Sequence, residues 1–148
     1  MHRSLLLLVG LPLVAGLGFA AARHEAAVPA KTGTVNVTAQ CVNGEINANI
    51  NPWSIEIEQD DDLEWRIHQT PRIDSISIYP KDGWPFNDAP PRKGRQNAPA
   101  HAGNMKPDQK GKTYEYNVEI WCHDNHGDEL HEVIDPDIII KGDAGPER

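Results

Sequence analysis

No stretch of this chain keeps a helical period, and that absence bounds much of what it can be. Apolar residues nowhere recur at three- and four-residue spacing over a sustained window, so helical bundles and alternating α/β folds are excluded. Positive charge is short as well: 14 Lys and Arg stand against 22 Asp and Glu, a formal charge of −8 at pH 7. A surface of that sign repels phosphate backbones, which argues against a nucleic-acid partner. The sequence has no Gly-x-Ser-x-Gly, no His-Glu-x-x-His and no Gly-rich phosphate loop, and no nucleophile–base or general-acid pair can be named, so no catalytic residue is expected. The run from Asp124 to Glu129 lacks the spacing of an EF-hand loop. Cysteine occurs twice, at Cys41 and Cys122, and the only Met beyond Met1 is Met105.

A long apolar run occurs once, at the start. Met1-His2-Arg3-Ser4 is short and basic, Leu5 to Phe19 is apolar but broken by Gly10, Pro12, Gly16 and Gly18, and Ala20, Ala21 and Ala22 follow. Charged, apolar and small-residue regions in that order read as a secretory signal peptide over residues 1–22, cleaved near Ala20 or Ala22. The run is short of the roughly 20 residues a membrane span needs, so no membrane span is expected after cleavage. The expected location is exported, periplasmic or secreted. What remains, about 125 residues, suits one domain with one core.

Period-2 alternation is what the rest of the chain offers. Val35, Val37, Ala39 and Cys41 share one strand face. Ile46, Ala48 and Ile50 alternate with Asn47, Asn49 and Asn51, and Ile55 and Ile57 alternate with Glu56 and Glu58. Past the polar turn Asp60-Asp61-Asp62, the row Leu63, Trp65 and Ile67 points inward with Glu64 and Arg66 outside. Ile76 and Ile78 follow, then the long row Tyr114, Tyr116, Val118, Ile120 and Cys122, and lastly residues 138–140. About seven short strands separated by turn signals predict an all-β, antiparallel sandwich. Asn36-Val37-Thr38 matches a glycosylation pattern but falls inside a predicted strand.

Residues 80–112 break the pattern with six Pro, several Gly and no alternation. A loop of this length is expected to be functional or mobile, or else pinned by Trp84 and Phe86 packing over the sandwich end. Its Lys81, Arg92, Lys93, Arg95, Lys106, Lys110 and Lys112 outnumber Asp82, Asp88 and Asp108 by four. Either its bases offset an acidic body or the segment docks something acidic. Residues 142–148 read as a flexible tail.

The order of parts resembles the cupredoxin-like fold. Pro52-Trp53-Ser54-Ile55-Glu56-Ile57, followed by Asp61-Asp62-Leu63-Glu64-Trp65, is similar to that fold's strand, acidic turn and Trp-bearing strand. Residues 114–120 look like the Tyr-x-Tyr strand that delivers a copper-binding Cys, and residues 135–140 look like the closing strand of exported domains of this kind. The resemblance covers residues 34–141 and implies a Greek-key sandwich with the 80–112 loop as an insertion. It also implies where copper would sit: Cys122, His126 and His131 have the spacing of a ligand loop, with His123 beside them. A type 1 site needs two His, a thiolate and a weak axial ligand. Here Asp74-Ser75 stands where the family's upstream His belongs, and Met105 lies outside the ligand loop, so an intact type 1 centre is not expected.

Cys122 also has a competing assignment from the residues themselves. Cys41 and Cys122 each extend an inward row to a strand end, and two Cys in an exported protein pair by default. A Cys41–Cys122 disulfide is the expectation, with a thiolate Cys122 the open alternative. Independently of the thiol, His123, His126 and His131 crowd among Asp124, Asp128, Glu129 and Glu132, a density that either binds a divalent metal or makes a solvated polar loop. The function expected is a small exported binding or accessory module, without a required cofactor, whose partner is a protein or small ligand the sequence does not name. A periplasmic copper-binding or electron-transfer protein is the alternative.

Overall fold

Alternating apolar residues become strands because one face of each can be buried while the other stays wet. The computed structural model describes residues 30–68 and 73–142. The signal peptide expected at 1–22 and residues 143–148 of the expected tail lie outside the described residues. Among the described residues there are ten strands and no helix.

One sheet has the order β2 (Glu45–Asn51), β1 (Thr32–Val42), β4 (Asp62–Ile67), β7 (Ala100–His101). The other has the order β3 (Ser54–Ile57), β10 (Asp137–Ile140), β8 (Thr113–His123), β5 (Ile73–Pro80), β6 (Arg92–Gly94), with β9 (Glu129–Ile134) also paired to β8. The long β8 has β5 on one edge. Its other edge is shared end to end, β10 taking residues 113–115 and β9 taking 118–123.

The inward rows of both sheets fill one core. Val35, Val37, Leu63 and Trp65 from the first meet Ile76, Ile78, Val118, Ile120, Ile138 and Ile140 from the second, all essentially inaccessible to solvent. Trp65 sits at its centre, stacked 6.2 Å from Trp84 and edge-on 5.5 Å from Tyr116. The all-β expectation therefore holds, in the form of two packed sheets, but three particulars differ. The sheets are mixed rather than antiparallel, since β1 runs parallel to β4 and β10 parallel to β3. Alternation reports which face of a strand is buried and says nothing of which neighbour it takes or in which direction. Ten strands replace about seven because β6, β7 and β9 are short or acidic and carry little apolar alternation. Glu64, expected outside, is buried.

The 80–112 segment is tied to both sheets. β6 pairs with β5 and β7 pairs with β4, so the hairpin between them bridges the sandwich. Trp84 and Phe86 are both buried, with ring centroids 5.2 Å apart. Lys106 Nζ donates to the Trp84 carbonyl, and the Lys106 backbone N–H donates to that of Pro85.

Candidate functional site

The residues singled out from the sequence gather at one end of the sandwich, where β8 delivers Cys122 inward and His123 outward. Cys122 Sγ is bonded to Cys41 Sγ at 2.09 Å, with Cα atoms 6.4 Å apart, inside the range a disulfide spans. The parity reading of two inward rows ending together is borne out. The same bond removes Cys122 as a thiolate ligand. While bonded to Cys41, the Cys122 Sγ is not available to join His126 and His131 in a copper set.

The turn after β8 is built around Asp124. Its Oδ1 accepts from the backbone N–H groups of His126 and Asp128, and its Oδ2 accepts from that of Gly44. Burial opposes the charge, but the three N–H donors outweigh it and hold the carboxyl below the ordinary carboxylate range. Gly44 and Asn43 form the two-residue turn between β1 and β2, with φ of 79° and 52°. Left-handed values at both positions are what a tight hairpin turn needs, and Asn-Gly supplies them at little strain. Asn125 Oδ1 accepts from the Asn43 N–H at 2.9 Å. Two hairpin turns from opposite sheets are thus clasped beside the disulfide.

The three histidines go to different partners. His126 lies in the turn, its Nε2 3.4 Å from Asn125 Nδ2. His123 Nδ1 donates to Asp74 Oδ2 at 2.6 Å. Asp74 is the extra residue where the β5 register shifts between Ile73 and Ser75, opposite the end of β8 that carries His123. His131 was expected in a loop but stands on β9, opposite Trp121, with the two rings stacked at 4.3 Å. Its Nε2 donates to Glu119 Oε1 at 2.8 Å. Among the described residues no three His, Cys, Asp or Glu side chains are gathered as a metal-binding group. His123 and His131 do share the outer face of the second sheet as diagonal neighbours across the β8–β9 pair, with Val133 exposed alongside.

A second feature is a cavity of about 250 Å³ where β4 ends against the tip of the β6–β7 hairpin. Arg66, Ile67 and His68 line it from β4 and the residue after it, and Arg95, Gln96 and Asn97 line it from the hairpin. The sequence signalled an excess of base in 80–112 but not that Arg95 would line one cavity with Arg66. That juxtaposition depends on β6 and β7, which alternation did not reveal.

Compared with models of known protein families and with curated proteins, the chain matches none.

Proposed function

We propose that this chain is a small exported binding or accessory module with a cupredoxin-like order of parts and no type 1 copper centre. The observation that carries the reading is the Cys41–Cys122 bond. It takes both thiols out of metal chemistry and makes the strand end that would hold copper into a covalent link between sheets. A bonded Cys pair also fits an oxidising compartment, in keeping with the leader-like first residues. The surface on offer for recognition includes the outer face of β8 and β9, where Trp121 and His131 stack. The partner is a protein or a small ligand.

Thiol counting and copper titration test this together. Denatured, unreduced protein purified from an oxidising compartment should show essentially no free thiol. Cu(II) added to the reduced protein should give no intense blue charge-transfer band, because the thiolate lacks two imidazoles in its plane. Two free thiols per chain, or an intense band abolished by Cys122→Ser, would overturn the module reading in favour of electron transfer.

A further inference from the structure

We propose that the cavity between the end of β4 and the β6–β7 hairpin binds a small oxyanion, a phosphate or carboxylate group held by the guanidinium groups of Arg66 and Arg95. This names a ligand class for the binding module and rests on that reading. The thiol and copper measurements do not involve this cavity, so each reading can fail alone.

The chemistry of the lining points one way. Among the described residues that line it, the polar members are two Arg, a His and two amide side chains, with no Asp or Glu, in a chain whose formal charge is −8. Two guanidinium groups on one small cavity leave several N–H donors for a shared anion even with one edge of Arg66 taken by Glu64, and a guanidinium fork matches carboxylate and phosphate oxygens. The larger cavity of about 420 Å³ lacks this character, since Glu58, Asp60 and Asp61 line it together with Lys31 and Lys110.

Arg66 is already ion-paired on its Nε edge, whereas Arg95 is not ion-paired among the described residues. Glu64 accepts from Arg66 Nε at 2.6 Å, which fixes the guanidinium plane and leaves the Nη groups as donors. The Arg95 side chain has no ion-pair partner among the described residues. Its backbone is held by a closed two-residue turn, with Arg95 N–H donating to Ala98 O at 2.8 Å and Ala98 N–H returning to Arg95 O at 3.0 Å. Arg92 Nε braces the hairpin by donating to His101 O at 2.6 Å. At Gly94 an added Cβ would meet the Ala100 nitrogen at 2.8 Å, so the hairpin strands lie too close for any side chain there. A site held in this way loses less order on binding. A volume of about 250 Å³ is well above what a single water needs and suits a small ligand.

The test uses isotope-labelled protein with its disulfide intact, at low ionic strength. Inorganic phosphate and succinate are titrated separately, and backbone and Arg side-chain NMR shifts are followed. Saturable shifts at Arg95, Gln96 and Asn97 are expected with at least one of the two, and the tighter one identifies the oxyanion. Chloride at matched ionic strength should not reproduce them. Arg95→Gln should weaken the binding about tenfold, the loss of a charge-assisted donor set. Asn97→Asp should abolish it by placing a carboxylate in the lining. Lys93→Gln, a charge change on β6 outside the cavity, should alter it less than about twofold. Absence of saturation with either anion at about 10 mM, an affinity too weak for a built site, overturns the proposal. So does Lys93→Gln weakening binding as much as Arg95→Gln, which would mark a diffuse field.

Discussion

Glu64 shows how one residue's environment is set by strands far from it in sequence. It lies on the outward row of β4, yet its side chain is 6% exposed. The parallel pairing with β1 places Thr34 beside it, and the antiparallel pairing with β7 places His101 on its other side. Thr34 Oγ1 donates to its Oε1 at 3.1 Å, Arg66 Nε donates at 2.6 Å, and His101 Nδ1 stands 3.9 Å away. Burial works against the carboxylate, but the Arg66 and Thr34 bonds and the charges of Arg66 and His101 outweigh it, and the pKa falls below the ordinary value. Arg66→Met removes the charged donor and leaves a buried carboxylate short of a partner, at a cost of about 1–3 kcal/mol. Urea midpoints should show that loss, and Glu64→Gln in the same background should recover part of it, since an amide needs no cation. A loss near zero for Arg66→Met would mean the pair behaves like an exposed ion pair.

At the scale of elements, the strands with long apolar rows were legible and the pairings were not. β1, β4 and β8 announce themselves because burial on one face demands alternation. β9 was hidden because its partly covered row, Leu130, Glu132 and Ile134, carries a charge in the middle. β6 and β7 are three and two residues long, too short to show any period. The disulfide was readable from parity, whereas the separation of His123, His126 and His131 was not. It depends on a β5 bulge and on β9 being a strand. The clasp between the β1–β2 and β8–β9 turns was equally unforeseen, since it requires two turns 80 residues apart to meet. It has a pH signature. Asp124 titrates below its unfolded value, so it favours the folded state above the ordinary Asp pKa of about 3.9, and that contribution is lost as pH falls through the folded pKa. Asp124→Asn should lower the melting temperature at neutral pH and flatten the decline below about pH 4. An unchanged acid limb would assign that decline to other carboxylates.

At the scale of the whole molecule, two mixed sheets are joined by a shared core, by the 80–112 segment that pairs with both, and by one covalent bond. Cys41 belongs to β1 of the first sheet and Cys122 to β8 of the second, so the disulfide crosses the sandwich at the end closed by the Asp124 clasp. Joining residues 81 positions apart restricts the unfolded chain by about 4.5 kcal/mol in a chain-entropy account, within a usual range of about 2–5 kcal/mol. For a domain with marginal stability that is a large fraction of the total. The paired substitution Cys41→Ala with Cys122→Ala should lower the melting temperature by about 10–20 °C. Native strand content should survive at low temperature, because Trp65, Trp84, Tyr116 and Phe86 still fill the core. Paired removal is the informative version, since a single substitution leaves a reactive thiol that can pair between chains. Calorimetry on the double variant measures the covalent link, and adding Asp124→Asn to it measures whether clasp and disulfide act together. Because the turns lie beside the bond, the two losses should fall short of or exceed a simple sum. A double variant melting within a degree or two of the parent would place the stability of this sandwich in its core alone.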